Sequence, residues 1–256
     1  MKKFIIYIIL IYLICLLFSK ILMYYFSFEN FNSDNNELDW LEKIFDYVKI
    51  VTIPERISYV HDFCKSFKIK PNIFNAILKK NLVYNNPYNL KLGEIACALS
   101  QEAVIKNFIA SNTRHMLLLE DDNIPFTNVF YSDTRLELNY IKNYIKSAVE
   151  SLPSDWDTLY LGRCWDDCNN NIIINKYIVK TRRTLCHHAI AISRKGANII
   201  LQAISHPLNV PIDHIVANLT LNGKINSYAT ILPIFYQNRY ELSSTIGNHD
   251  HLPICV

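Results

Sequence analysis

Short apolar runs alternate with helical repeats from residue 40 onward. Runs such as Lys49–Ile53 and Met116–Leu119 lack polar alternation, which is typical of strands buried on both faces of a parallel sheet. Residues 91–110 instead repeat apolar side chains every three or four positions, as an amphipathic helix does. The pattern predicts further strands at 72–77, 157–161, 187–192 and 225–231, a β-rich patch at 172–182, and further helices at 55–67, 136–152, 194–204 (capped by Ser193) and 211–221. This alternation predicts an α/β fold with a mostly parallel central sheet and helices on both faces.

The N-terminal segment has a different pattern. Lys2 and Lys3 precede the apolar run Phe4–Phe18, and Ile21–Phe26 continues that run beyond Lys20. With Lys20 snorkelling, the two runs approach the roughly 20 apolar residues that span a bilayer. No small-residue cleavage signature follows, which favours an uncleaved signal anchor over a removed signal peptide. The two lysines favour a cytoplasmic N-terminus, so we expect a single-pass membrane protein whose remaining chain is lumenal or extracytoplasmic.

Three parts of the chain follow from these patterns. We expect a transmembrane segment at 1–28, a polar stem at 29–39 that is rich in Asn, Asp and Ser, and one domain at 40–256. The chain has only 5 glycines, and they lie so far apart that neither the dinucleotide-binding fingerprint nor a P-loop can be written. The net charge of +3 comes without any long basic block, so we expect no nucleic-acid partner.

Three adjacent carboxylates, Glu120, Asp121 and Asp122, end the central apolar run. Ligands collect beyond the carboxyl ends of strands in parallel sheets. Adjacent carboxylates repel one another, and a cation or hydrogen-bond donors compensate for that repulsion. The triplet is therefore either a solvated acidic turn or a metal site. If it is a metal site, Mg²⁺ or Mn²⁺ holding a diphosphate is the chemistry that uses one or two protein carboxylates.

The cysteines allow several interpretations. Apart from Cys15 in the apolar segment, six cysteines remain, and six allow fifteen disulfide pairings. Cys164 and Cys168 have the wrong spacing for a zinc knuckle, and no second pair accompanies them. A local disulfide between them or two plain thiols are both preferred over a metal site.

Five ordered blocks of the chain resemble glycosyltransferase family 25. Residues 92–101 are similar to its G-E-x-x-C-x-x-S-H block, with Gln101 where the family usually has histidine, and residues 117–122 are similar to its L-E-D-D block. Residues 156–162 resemble its W-D-x-x-x-L-G strand, 188–197 its segment ending S-x-x-G-A, and 211–213 its P-x-D. The resemblance covers about residues 48–246. The family includes bacterial lipooligosaccharide galactosyltransferases and procollagen galactosyltransferases.

The resemblance implies a GT-A-like fold and an inverting, metal-dependent transfer of galactose or glucose from a UDP-sugar to a glycan or protein hydroxyl. We expect Mn²⁺ or Mg²⁺ as cofactor, with Asp122 as its ligand and Glu120 or Asp121 on the ribose or as a second metal contact. His188 is a further candidate ligand, since imidazole is acceptable to Mn²⁺. Arg56 and Arg163 follow strands, and each would either offset the diphosphate charge or form a surface ion pair.

An inverting enzyme needs a general base for the acceptor hydroxyl. Asp213, at the predicted start of a helix and in the P-x-D match, is preferred, with Asp166 or Asp167 as the alternative. Two other functions remain open: a non-catalytic family 25-like binding or adhesion protein, and a different carboxylate-metal enzyme such as a phosphoesterase or nucleotidyltransferase.

Overall fold

An eight-stranded sheet organises the part of the chain that the structure, a computed structural model, describes: residues 40–125, 138–239, 241–244 and 246. Its strands are β1 (Tyr47–Thr52), β2 (Ile73–Asn75), β3 (His115–Glu120), β5 (Thr158–Gly162), β6 (Ile172–Ile173), β7 (Ile178–Lys180), β8 (Ala189–Ser193) and β9 (Ser227–Thr230), and a separate pair joins β4 (Asn123–Pro125) to β10 (Phe235–Gln237). The helices are α1 (Trp40–Ile44), α2 (Ile57–Phe67), α3 (Leu92–Ala110), α4 (Leu138–Glu150), α5 (Arg194–Ala203) and α6 (Ile212–Leu221).

The sheet is mixed, with the strand order β2-β1-β3-β8-β5-β9-β7-β6. The pairs β1–β2, β1–β3 and β5–β9 are parallel, whereas β3–β8, β5–β8, β7–β9 and β6–β7 are antiparallel. The prediction of a mostly parallel sheet is therefore wrong. The prediction was based on the unbroken apolar run. A central strand that is covered on both faces has this composition whether it lies parallel or antiparallel to its neighbours.

Hydrophobic side chains of β3 divide between two cores, one on each face of the sheet. Leu117 and Leu119 pack into a cluster with residues of α1, α2 and α4. Met116 and Leu118 pack into a second cluster with residues of α3, α5 and α6. Successive strand residues point to opposite faces, so an unbroken apolar run is what a sheet covered on both faces requires. The prediction of helices on both faces is confirmed.

Several predicted element bounds agree with the structure. The long helix predicted at 91–110 is α3, and the helix at 211–221 is α6, each within one residue at its start. Ser193 caps α5 as predicted, because its side chain accepts a hydrogen bond from the backbone N–H of Gly196 at 3.0 Å. The predicted strand at 72–77 is shorter, since β2 ends at Asn75.

The predicted transmembrane segment at 1–28 and the stem at 29–39 lie outside the described residues. Among the helices that the structure does describe, none has both the length and the apolar character to cross a bilayer. The longest of these, α3, has 19 residues and carries the polar side chains Ser100, Gln101 and Glu102 in buried positions. The expected single-pass localisation therefore has no support from the structure, and we withdraw it.

A disulfide joins Cys164 to Cys186, with their Cα atoms 5.6 Å apart. It links the segment that follows β5 to the segment that precedes β8. Both interpretations of the pair Cys164 and Cys168, a local disulfide and two plain thiols, are therefore wrong. Cys64 and Cys97 are free thiols.

Candidate functional site

The three acidic residues lie where β3 ends and the chain turns into β4. Glu120 is the last residue of β3, and Asp121 and Asp122 form the turn. The side-chain amide of Asn123 donates to the backbone carbonyl oxygens of Glu120, at 2.8 Å, and of His188. The N–H of Glu120 donates to the same His188 carbonyl at 2.8 Å. These bonds hold the turn against the start of β8. The backbone from which the three carboxylates project is therefore fixed.

Asp121 is bound to the end of the neighbouring strand β1. Its Oδ2 accepts hydrogen bonds from the Thr52 hydroxyl and the Ile53 N–H, each at 3.1 Å. Its Oδ1 forms an ion pair of 2.8 Å with Arg56, and only 11% of either side chain is exposed. Arg56 also donates to the carbonyl oxygen of Ser243. The structure thus places Arg56 and Asp121 together, because they follow the adjacent ends of the parallel strands β1 and β3.

Glu120 and Asp122 share one donor, the side-chain amide of Gln237. Gln237 Nε2 lies 3.2 Å from Asp122 Oδ2 and 3.5 Å from Glu120 Oε2. Arg239 in turn donates to Gln237 Oε1 at 2.7 Å, which orients that amide. Asp122 is buried, and its Oδ1 has no hydrogen-bond partner among the described residues. A buried carboxylate oxygen without a donor is costly, so this position suits a cation or an added donor.

Burial and mutual repulsion disfavour the ionised forms of this pair. Burial, followed by repulsion from Asp122 and Asp121, raises the pKa of Glu120 to about 8. Burial also raises the pKa of Asp122, while the nearby Arg239 opposes that shift. The positive charge of the described residues therefore does not compensate fully for ionisation of both Glu120 and Asp122.

A buried hydrogen-bonded chain leads from Glu120 into the core. Gln101 Nε2 donates to Glu120 Oε1 at 3.0 Å, and Gln101 Oε1 lies 3.0 Å from His187 Nδ1. His187 Nε2 lies 3.3 Å from the Tyr160 hydroxyl. Burial lowers the pKa of His187 to about 4, so its imidazole is neutral near pH 7. The NH₂ group of Gln101 thus has an acceptor in Glu120, and its carbonyl oxygen has a donor in His187.

Two cavities meet at this site. The first, of about 230 Å³, lies beside the ends of β1 and β2 and is lined by Arg56, Lys79, Lys80 and all three carboxylates. The second, of about 370 Å³, lies beside the start of α6 and is lined by Asp213, His187, Trp165 and Arg183. The residues that line both cavities are Cys97, Glu120, Gln237, Arg239 and Ile246.

Asp213, in the first turn of α6, lies in the wall of the second cavity. Its Oδ2 accepts from the Cys186 N–H at 3.2 Å and its Oδ1 accepts from the His214 N–H at 2.9 Å. Repulsion from Asp213 contributes to the raised pKa of Glu120. The structure therefore brings Asp213, Glu120, Asp121, Asp122 and Arg56 to one region.

Arg163, Asp166 and Asp167 line neither of these cavities. Arg163 and Asp166 form a buried ion pair of 2.7 Å, and Arg163 also donates to the carbonyl oxygen of Thr230 at 2.7 Å. Asp167 accepts from the side chain of Asn170 in the next turn. These contacts are structural, within the segment that follows β5.

His188 also lines neither cavity. Its Nε2 lies 3.2 Å from the carbonyl oxygen of Phe235, and burial lowers its pKa to about 4. Gly162 makes this packing possible, because a Cβ there would lie 2.5 Å from that same carbonyl oxygen. The side chain of His188 thus packs against β5 and β10, while its backbone carbonyl contacts the acidic turn.

No group of three or more His, Cys, Asp or Glu side chains is arranged to hold a metal within the described part of the chain. A cation bound to a diphosphate, however, takes only one or two carboxylates from the protein. Asp122, with a buried oxygen that lacks a donor, and Glu120 beside it fit that smaller requirement.

The sequence pattern did not identify Gln101, Gln237 and Arg239 as parts of one site. Cys97 and Gln101 are four residues apart on α3, so both can face the strand end, and a polar residue at a buried helical position was the available signal. Gln237 and Arg239 come from beyond β10, and nothing in the local pattern connects them with Glu120.

No model of a known protein family matches the chain, and no curated protein sequence matches it. Among solved structures it is similar to the one described as "Crystal Structure of A197 from STIV", with a TM-score of 0.39 and 11% sequence identity. That match covers 79% of this chain and 98% of the other. A likeness at this level identifies no family and no activity.

Proposed function

We propose that this protein is a metal-dependent glycosyltransferase that moves a hexose from a UDP-sugar to a hydroxyl acceptor with inversion. The observation that carries the proposal is the position of Glu120 where two cavities meet, with Asp122 in the lining of the first cavity and Asp213 in the lining of the second. The ordered resemblance to glycosyltransferase family 25 supports the choice of a UDP-hexose, galactose or glucose, as donor.

In this proposal the first cavity receives the nucleotide. Arg56, Lys79 and Lys80 line it and would offset the charge of the diphosphate. Asp122 and Glu120 would hold Mn²⁺ or Mg²⁺, which supplies Lewis-acid stabilisation of the leaving diphosphate. Arg56 is already held by Asp121, so it is oriented before the donor binds.

Asp213 is the proposed general base. The acceptor oxygen forms a bond to the anomeric carbon, the bond from that carbon to the diphosphate breaks, and the acceptor proton passes to Asp213. Two backbone N–H groups hold the carboxylate of Asp213 in the wall of the larger cavity, which has room for an acceptor. A displacement of a general base by about 1 Å can slow the chemical step strongly. Two hydrogen bonds that fix the Asp213 carboxylate therefore fit a catalytic role.

The experiment is UDP release by the full-length chain from UDP-galactose and UDP-glucose, with Mn²⁺ and with EDTA. Asp122→Asn keeps the shape of the side chain and removes its charge, so it should lose the release. Asp62→Asn, at an exposed position on α2, is the matched control and should retain it. The proposal fails if a folded wild-type protein releases no UDP with saccharide or hydroxylysine acceptors present, or if EDTA has no effect.

A further inference from the structure

Trp165 is exposed at the second cavity, in contrast to the other two tryptophans of the chain. Its exposed fraction is 44%, whereas Trp40 and Trp156 are exposed by 5% and 8%. An aromatic ring exposed at the wall of a cavity offers an apolar face on which a ligand can stack. Trp165 takes no part in the chemistry proposed above.

The backbone that carries Trp165 is held rigidly. We call residues 164–167 and 183–186 the disulfide strap, because the disulfide between Cys164 and Cys186 joins its two halves. Within the strap the Leu185 N–H donates to the Trp165 carbonyl oxygen at 2.8 Å, and the Asp167 N–H donates to the Arg183 carbonyl oxygen at 3.0 Å.

The residue after Trp165 adds a second anchor. Asp166 forms the buried ion pair with Arg163 and accepts a hydrogen bond from the Thr184 hydroxyl at 3.2 Å. Trp165 is thus fixed on both sides while its indole remains exposed. Because its backbone is already ordered, Trp165 loses little backbone conformational entropy when a ligand stacks on its ring.

The cavity around Trp165 also carries groups that bind hydroxyls. Asp213 and Glu94 supply carboxylate acceptors, and Arg183 and His214 supply donors. An apolar ring beside convergent donors and acceptors matches the two kinds of surface on a pyranose, whose C–H face is apolar and whose edge is hydroxylated. A flexible peptide side chain presents no such flat face.

We infer that Trp165 forms a saccharide subsite, so that the acceptor is a glycan and not a protein hydroxyl. The inference rests on the proposed transferase function, because that function is what requires an acceptor in the second cavity. The pyranose ring of the acceptor stacks on Trp165 and directs its nucleophilic hydroxyl toward Asp213.

The first test is acrylamide quenching of tryptophan fluorescence in the full-length protein. The single exposed ring among the three tryptophans is Trp165, so it dominates the quenching. Methyl β-galactoside, methyl β-glucoside and lactose are added as probes, beside a 5-hydroxylysine peptide. Protection by a saccharide, absent in Trp165→Ala, supports the inference. Protection by the peptide alone, or by none of the probes, overturns it.

The second test separates this subsite from the proposed reaction. With a protecting saccharide as acceptor, Trp165→Ala should raise KM by roughly tenfold with a much smaller effect on kcat, and Trp165→Phe should restore most of the affinity. Tyr88→Ala removes another exposed ring, at 56% exposure, that lies outside both cavities, and it should change neither constant. An unchanged KM in Trp165→Ala overturns the inference while wild-type turnover still supports the transferase. Absence of wild-type UDP release instead refutes the transferase, whatever the quenching shows.

Discussion

Replacing Glu120 with glutamine should change how the stability of the metal-free protein depends on pH. The pKa of Glu120 is about 8 in the folded protein, against an ordinary value of 4.5. Its raised folded pKa means that the folded state holds a proton which the unfolded state has released. The corresponding stability is therefore fully present below about pH 4.5 and is lost as pH rises to about 8. Glutamine does not titrate, so the variant lacks this loss.

The magnitude follows from the one proton involved. A difference of one bound proton changes the free energy of unfolding by about 1.4 kcal/mol per pH unit. From about pH 5 to about pH 8 the loss is therefore at most about 4 kcal/mol for wild type relative to Glu120→Gln. His187 and His188 have the opposite effect below the ordinary histidine pKa of 6.5, because their folded pKa values are lowered to about 4. Both proteins contain these histidines, so their contribution cancels in the difference.

The assay is urea unfolding followed by tryptophan fluorescence, in EDTA, at several pH values for wild type, Glu120→Gln and Glu150→Gln. Glu150 is an exposed glutamate at the end of α4, and its variant should follow the wild type. Mn²⁺ should then stabilise wild type more at pH 8 than at pH 5, because the ionised carboxylates bind the cation. Parallel pH profiles for wild type and Glu120→Gln would refute the account of the acidic turn.

Three further substitutions test other parts of the structure. Gly162→Ala should destabilise the protein by about 1–3 kcal/mol, because the new Cβ meets the Phe235 carbonyl oxygen and the His188 ring; an unchanged urea midpoint would contradict this. Arg163→Met should cost about 3–5 kcal/mol by leaving Asp166 charged and buried, and adding Asp166→Leu should recover much of that loss in the same measurement. Asp213→Asn should reduce single-turnover transfer by about 10²–10⁴-fold, and full activity would exclude it as the base.

The positions of the strands were predictable, whereas their directions were not. The apolar run of β3 is buried as predicted, and α3 has the predicted position. The predicted apolar face of α3 is wrong in part, because Leu92 is exposed while Ser100, Gln101 and Glu102 are buried. β8 has the same apolar character as β3 and lies antiparallel to both of its neighbours. Strand direction depends on the path of the chain between elements, and an apolar run contains no information about that path.

Much of the candidate site came from neighbouring strand ends, and those residues were predictable. Arg56 follows β1 and Asp121 follows β3, and because these strands are parallel neighbours the two side chains meet. Arg163 also follows a strand, but its partner Asp166 is three residues away and buried with it. A position after a strand therefore predicts where the backbone of a residue lies, but it does not predict the direction of its side chain.

The residues that complete the site required the tertiary structure. Gln237 is separated from Glu120 by 117 residues, and it meets the acidic turn only because β10 pairs with β4. Gln101 was noted only for its departure from the family motif. In the structure its amide is suited to its place, since it donates to Glu120 and faces His187 with its carbonyl oxygen.

The central claim is that Asp122 and Glu120 bind a cation together with a nucleoside diphosphate. The most direct measurement is calorimetric titration of UDP into the full-length protein, with Mn²⁺ and with EDTA, for wild type, Asp122→Asn and the exposed control Asp62→Asn. We expect UDP to bind wild type and the control only with Mn²⁺, and Asp122→Asn to lose that binding. UDP binding that is equally strong in EDTA, or unchanged in Asp122→Asn, would contradict the claim.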